Sequence, residues 1–208
     1  MPFDLEPGNI VYPEFRFFGA GAWGHEMLGR LEGLQNLPNV QLTKAEEGGP
    51  APLDQSDMSV LFAMRAATLS VYPHEHHAAV LRASRGEDIA EGLRMLIGLL
   101  RVPAYINMDW GDVGPFLRGA KSVHLRIAVG STAKEAAARL VQNPPPGERF
   151  IVCISGTEDM DMDELEEAIS LIDEKLPPRS NLLMGFAVGV AIDQAEGAKV
   201  AVFGVIDS

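Results

Sequence analysis

The stretch VPAYINMDWGDV, Val102 to Val113, decides the fold of this chain. A helical stripe of apolar residues leads into it, and Pro103 disfavours helix in the residue before it, so we expect that helix to end here. The stretch then presents Asn107, Asp109 and Asp112. Asn107 is a residue type that caps helix starts, and the two aspartates would share one face of a helix beginning there. A polar loop that only caps a helix is the alternative interpretation.

The pattern Asn-x-Asp-x-x-Asp, preceded by Ile106, resembles the synergy loop of FtsZ, the bacterial relative of tubulin. In that family a long central helix ends in this loop. The resemblance continues in order toward the C-terminus through Leu125 to Ser131, Phe150 to Glu167 and Asn181 to Val205. It implies an α/β fold with a nucleotide domain, a central helix and an α+β C-terminal domain.

The resemblance also implies a role for the polar cluster. In FtsZ the loop docks onto the GTP pocket of the next subunit, and its acids position the attacking water. Asn107, Asp109 and Asp112 would then be catalytic residues acting on a nucleotide held by another subunit. The implied partner is an FtsZ-type subunit or a second copy of this chain, in a hetero-complex or a homo-oligomer, and any activity is a weak GTPase.

A second motif lies near the N-terminus. A predicted short strand, Glu14 to Phe18, runs into a G-x-G-x-x-G pattern formed by Gly19, Gly21 and Gly24, and a predicted helix follows from about Gly24. Glycines in such a turn let the backbone approach a phosphate, and the helix N-terminus offers unpaired N–H groups. The resemblance makes this the first glycine loop of a nucleotide pocket; the alternative is a tight turn that binds nothing.

Two features of the sequence depart from the FtsZ pattern. Trp23 stands where the family has a small residue, and no glycine occurs between Gly49 and Gly86, where the family has its glycine-rich signature loop. A loop without glycine does not readily align several N–H groups on a phosphate. We therefore predict a degenerate pocket that holds no cofactor, or GTP or GDP only weakly.

The domain organisation follows from these segments. We predict a reduced nucleotide-binding-like domain over 1–85, a central helix over 86–101 and an FtsZ-like C-terminal domain over 102–208. Within the last, Lys121 to Ser208 should form a mainly four-stranded sheet with helices on one face. The amphipathic stretches Ala133 to Val141 and Met162 to Leu176 would supply those helices.

Composition bounds the partners and the compartment. The net charge of −12 argues against a nucleic-acid or anionic-membrane partner, because both require basic patches. Cys153 is the single cysteine, which allows no internal disulfide and fits a reducing cytoplasm; we interpret it as a small buried hydrophobe. The N-terminus does not read as a signal peptide, so we predict a cytoplasmic protein.

Three other ligand hypotheses are weaker. His74 and His76 have a spacing that zinc sites use, but no second ligand cluster accompanies them. Asp159 begins an acidic run without the glycine that a calcium loop needs, and acids at a helix start explain it more simply. Glu46 lies where a dinucleotide-binding fold places its ribose acid. We predict no metal site.

Two functions from different classes therefore compete. The first is an interaction protein of the cytoskeleton or of cell division, which docks its synergy-loop face on a nucleotide-bearing FtsZ-type subunit or on itself. The second is a GTP-binding, self-assembling FtsZ-like protein with weak GTPase activity. The missing glycine-rich signature loop favours the first.

Overall fold

The computed structural model describes residues 13–46, 57–63, 66–71, 78–101, 106–156, 160–177, 181–188 and 197–207. The chain combines helices with strands that pair both in parallel and antiparallel, which confirms the predicted α/β class. A short 3-10 helix, Glu32–Asn36, follows the first α-helix. The other elements are, in order, β1 (Phe15–Ala20), α1 (Gly21–Arg30), β2 (Val40–Ala45), β3 (Met58–Ala63), β4 (Ala66–Val71), β5 (Ala78–Ala83), α2 (Gly86–Leu99), α3 (Trp110–Leu117), β6 (Ala120–Gly130), α4 (Ala133–Leu140), β7 (Arg149–Gly156), α5 (Met162–Lys175), β8 (Asn181–Val188) and β9 (Ala198–Asp207).

The described strands form one sheet in the order β2-β1-β3-β4-β5-β6-β9-β7-β8. Strand β1 is parallel to both β2 and β3, whereas β3, β4 and β5 form an antiparallel meander. Strand β5 then pairs in parallel with β6 and so joins the two halves of the chain. The boundaries predicted at 85/86 and 101/102 remain a prediction, since the sheet runs through both halves.

The sheet carries helices on both faces. Helices α1, α2 and α3 share one hydrophobic cluster, whereas α4 and α5 share another on the opposite face. Successive side chains of β7 point to opposite faces of the sheet: Ile151 and Cys153 face the first cluster, and Val152 and Ile154 face the second. Cys153 is fully buried, as predicted, and burial raises the pKa of its thiol.

The C-terminal sheet was predicted correctly. Strands β6, β9, β7 and β8 are the four strands, and both α4 and α5 pack on one face of them. Thr132 and Asp161 start these helices, since each side chain accepts a hydrogen bond from a backbone N–H in the first turn. Each helix ends one residue before its predicted end.

The central helix α2 differs slightly from the prediction. It was expected to reach Arg101, but it ends at Leu99 with Leu100 as its C-cap. The N–H of Arg101 bonds to the carbonyl oxygen of Gly98, three residues back, so the last turn is tightened and the α-helical pattern stops. Gly92 lies so close to β6 that an added Cβ would stand 2.4 Å from Leu125 Cδ2. The predicted cause of the helix end, Pro103, lies outside the described residues.

The first helix begins earlier than predicted. It was expected from about Gly24 to Leu34, but α1 runs from Gly21 to Arg30. Gly21 has a φ of +66°, a conformation that lets the chain turn directly from β1 into the helix. No described helix is long and apolar enough to cross a membrane.

Two glycines in α1, Gly24 and Gly29, test how closely this helix packs against β3. A Cβ at Gly24 would lie 2.5 Å from the carbonyl oxygen of Phe62, whereas one at Gly29 would meet nothing within 4 Å. We expect Gly24→Ala to lower the free energy of unfolding by about 1–3 kcal/mol through overpacking. Gly29→Ala, the matched control, should be neutral or stabilising by up to about 1 kcal/mol. Urea denaturation measures both, and equal effects would contradict this account.

Candidate functional site

The predicted catalytic residues lie on a segment that is anchored to strand β8 of the sheet. Ile106 pairs with Phe186 in β8 through two backbone hydrogen bonds, of 3.3 and 3.0 Å. Met108 is 4% exposed and covers Gly185, where an added Cβ would stand 2.7 Å from its Cε. Asn107, between these two anchors, is exposed. The alternation of anchored and exposed residues therefore presents a polar side chain from a fixed backbone.

Asp109 and Asp112 stabilise the start of α3. Asp109 is the N-cap, and its Oδ1 accepts a 3.0 Å hydrogen bond from the N–H of Asp112. Asp112 Oδ2 accepts in return from the N–H of Asp109 at 3.2 Å, which completes a capping box. The prediction that Asn107 caps this helix is wrong, because the helix begins at Trp110 and its N-cap is therefore Asp109. Both carboxylates are exposed and lie at the same helix start, as predicted.

Aromatic packing ties α3 to the first strand. The ring of Trp110 contacts Phe15 edge-to-face, with centroids 5.5 Å apart. The guanidinium of Arg101 lies 5.2 Å from the centroid of the same Phe15 ring. Arg101 also donates a 2.5 Å hydrogen bond to the carbonyl oxygen of Pro13. The acidic segment is therefore anchored to both halves of the chain.

The glycine motif forms a tight strand-to-helix turn. An added Cβ at Gly19 would stand 2.3 Å from the carbonyl oxygen of Gly24, and Gly24 is equally confined by Phe62. Gly21 supplies the positive φ. Close packing and backbone conformation thus account for Gly19, Gly21 and Gly24 without any ligand. The N-cap of α1 is Ala20, whose methyl group cannot accept a hydrogen bond from the first turn.

Trp23 lies beside this turn. Its ring contacts Phe62 in a T-shaped arrangement with centroids 6.0 Å apart. An added Cβ at Gly86, the first residue of α2, would stand 3.0 Å from Trp23 Cζ2. The indole therefore packs between the end of β3 and the start of α2.

A strand follows β3 directly where the resemblance to FtsZ places a glycine-rich loop. Ala63 pairs with Ala66, and β4 continues antiparallel to β3 as far as Val71. Residues 64 and 65 lie outside the described part of the chain. The segment after β3 therefore extends the sheet.

The two predicted sites are not brought together within one chain. The glycine turn contacts the start of α2 through Trp23, whereas Asn107, Asp109 and Asp112 follow its end. Helix α2 has 14 residues, so its ends lie about 20 Å apart. Residues at one end cannot reach a ligand bound at the other.

The weaker ligand hypotheses remain largely untested. The histidine cluster at 72–77 and Asp159 lie outside the described residues. Within the residues that the structure describes, no three His, Cys, Asp or Glu side chains are grouped closely enough to hold a metal ion. Glu46 is exposed at the end of β2.

One cavity was missed by sequence reasoning. It has a volume of about 440 Å³ and is bordered by Arg85, Arg126 and Arg139. These arginines are far apart in the sequence and belong to no motif, so only the fold reveals that they meet.

Comparisons with known proteins agree with the resemblance found in the sequence. No protein-family model matches the chain. The mitochondrial division protein fszB of Dictyostelium discoideum is 26% identical over 113 residues, which make up 49% of this chain and 31% of that protein. The chain thus matches about a third of the length of this curated relative.

Solved structures of FtsZ from M. jannaschii have the same fold. The W319Y mutant superposes with a TM-score of 0.66 at 12% identity, covering 95% of this chain and 91% of that one. An empty FtsZ dimer gives a TM-score of 0.63 at 10% identity, covering 94% and 89%. The chain therefore has the FtsZ fold.

The capping box makes a testable prediction. Asp109→Ala removes the acceptor for the N–H of Asp112 and should lower the free energy of unfolding by about 1 kcal/mol. Asp109→Asn keeps an acceptor at the cap and should cost less, because asparagine is an equally good N-cap residue. Chemical denaturation of the two variants measures this difference. Equal stability of Asp109→Ala and the parent protein would show that the box contributes nothing.

Proposed function

We propose that this protein docks the face carrying Asn107, Asp109 and Asp112 onto a nucleotide-bearing FtsZ-type subunit or onto a second copy of itself. The observation that carries the proposal is the rigid presentation of these three residues. All three are exposed, while Met108 and the Ile106–Phe186 bridge fix the backbone beneath them. Preorganised polar groups of this kind bind without first being ordered.

The geometry favours action on a partner's nucleotide. A carboxylate that activates water must lie within hydrogen-bond reach of it. Helix α2, about 20 Å long, has the chain's own glycine turn at its start, whereas Asp109 and Asp112 follow its end in the sequence. The acids can therefore act only on a nucleotide that another subunit presents.

Several features support a weak nucleotide pocket in this chain. Trp23 packs beside the glycine turn, and Gly19 and Gly24 serve close packing. Strand β4 follows β3 with only residues 64 and 65 between them, where FtsZ has glycine-rich sequence. A subunit with the acidic face and a weak pocket would bind one end of a filament and offer a poor site to the next subunit.

The cellular process is proposed by analogy. A relative over about half of the chain is named as a mitochondrial division protein. We infer that this protein acts in division as an end-capping or destabilising regulator of FtsZ-type filaments in the cytoplasm. Completion of a hydrolytic site at the filament end would be its only enzymatic contribution.

A second candidate function is GTP-dependent self-assembly with weak hydrolysis. The start of α1 favours it, because Gly21 brings the helix N-terminus directly after β1 and Ala20 provides no side-chain cap. The N-terminal N–H groups of such a helix attract phosphate. One of the similar solved structures is an FtsZ dimer.

Nucleotide binding separates the two candidates. We expect the purified chain to bind labelled GTP weakly or not at all, because the turn glycines are used in packing. Gly21→Val tests the turn, and Gly29→Val is a matched control in open space on the same helix. Tight binding that Gly21→Val abolishes and Gly29→Val retains, with both variants folded by circular dichroism, would establish the second candidate instead.

The docking proposal is tested on a GTPase-competent FtsZ from the same cell. The chain should shorten its filaments and change its GTP turnover at substoichiometric ratios. The double variant Asp109→Asn/Asp112→Asn should lose this effect, because it removes both charges while keeping hydrogen-bond acceptors at the helix start.

Asp161→Asn is the control for that experiment. It removes the charge of the N-cap aspartate of α5, on a different part of the surface, and should behave like the parent protein. Filament length by electron microscopy and phosphate release give the readouts. Indifference of both readouts to the parent protein, or equal loss in the control, would rule out capping through this face.

A further inference from the structure

The cavity bordered by Arg85, Arg126 and Arg139 lies along an edge of β6. Strand β5 pairs with β6 over Ser122 to Leu125 in the described register. Strand β6 continues past this point to Gly130 while still paired with β9 on its other side. The cavity of about 440 Å³ follows this extension and is bordered by the end of α4.

Neighbouring groups hold the three guanidinium groups in position. Arg139 donates a 2.7 Å hydrogen bond to the carbonyl oxygen of Val129 at the strand edge, and it also pairs with Glu135. Arg85 pairs with Asp88 at 2.8 Å. A guanidinium carries more N–H donors than the two contacts of Arg139 use, so Arg139 can still bind a further anion.

Arg126 differs from the other two. Its Nη1 donates to the hydroxyl of Ser84, a neutral partner that leaves the positive charge of Arg126 uncompensated by that bond. The side chain is half-buried, which concentrates its field in the cavity. Arg126 is therefore the strongest anion-attracting group of the three.

His124 lies two residues before Arg126 on β6 and pairs with Arg82 of β5 in the sheet. Partial burial, together with repulsion from Arg82 and Arg126, lowers the pKa of His124 from its ordinary value. Arg85 and Arg139 are each paired with a carboxylate, so Arg126 supplies most of the positive charge at the cavity. A positive charge at a concave surface attracts a counter-ion.

The walls of the cavity define the rest of the ligand. Ile127, Ala128, Val129 and Leu140 line it together with the arginines, and Val129 is 45% exposed. Ile127 and Ala128 pack on opposite faces of the sheet, so this apolar wall runs along the edge of β6. Cavities of roughly 300–1,000 Å³ that combine apolar walls with a few polar groups are typical of small-molecule sites. Planar guanidinium forks match the oxygens of a phosphate group.

We propose that this cavity binds a small phosphorylated organic molecule, with its phosphate on Arg126 and Arg139 and its organic part on the apolar wall of β6. The site uses neither the glycine turn nor the face carrying Asn107, Asp109 and Asp112. It is thus independent of the proposed docking function, and either can fail without the other.

Calorimetric titration of the full chain at low ionic strength tests the site. Inorganic pyrophosphate should bind saturably with one site per chain, and Arg126→Gln should weaken binding by about tenfold or more. Arg126→Lys should recover only part of the loss, because lysine keeps the charge but not the fork. Arg30→Gln, which removes an exposed arginine on α1, is the matched control and should bind like the parent.

Further titrations identify the organic part of the ligand. Glucose 6-phosphate and adenosine diphosphate carry the same group on different organic parts, and the one that binds more tightly than pyrophosphate identifies the class that the apolar wall accepts. Amide chemical shifts should move at Ile127 to Val129 and not at Gly19 to Gly24.

Other outcomes would overturn the proposal. They are the absence of saturable binding of all three probes, equal weakening by Arg30→Gln, and shifts confined to the glycine turn. A hexaglutamate peptide that binds where the phosphorylated probes do not would assign the cavity to an acidic protein segment instead.

Discussion

The packing of α2 against β6 is the constraint on which the rest of the structure depends. Gly92 allows the helix to approach Leu125 so closely that no side chain fits between them. A 2.6 Å ion pair between Glu91 of α2 and Lys199 of β9 also joins this helix to the C-terminal part of the sheet. Because α2 is fixed on the sheet, its start stays at the glycine turn and its end at the acidic segment, and a single chain cannot combine the two.

Each of the two motifs has a structural role that precedes any function. Gly19 and Gly24 are confined by backbone atoms, and Gly21 makes the turn into α1. Asp109 and Asp112 cap α3 and at the same time remain exposed. These roles explain the local structure of the turn into α1 and of the start of α3. The proposed docking function requires, in addition, that a partner uses the exposed carboxylates.

The sequence was most informative where one physical rule acts locally. The resemblance to FtsZ located β7 and the start of α5, and the amphipathic stretch Met162 to Leu176 predicted α5 to within one residue. The errors concern helix starts whose exact position depends on a single residue. The N-cap of α3 is Asp109 rather than Asn107. This position depends on the burial of Met108 against Gly185, a tertiary contact between segments far apart in the sequence. The early start of α1 likewise depends on the φ of Gly21.

The parallel pairing of β5 with β6 and the meeting of Arg85, Arg126 and Arg139 could not be predicted, because both join segments that are distant in sequence. The central claim, docking through the acidic face, is tested most directly by binding stoichiometry. The chain is titrated onto FtsZ filaments held in a non-hydrolysable GTP analogue and sheared to different lengths. Docking through the acidic face predicts saturation at one chain per filament end, so that the ratio of bound chain to total FtsZ falls as filaments lengthen. Saturation proportional to total FtsZ, whatever the length, would contradict it.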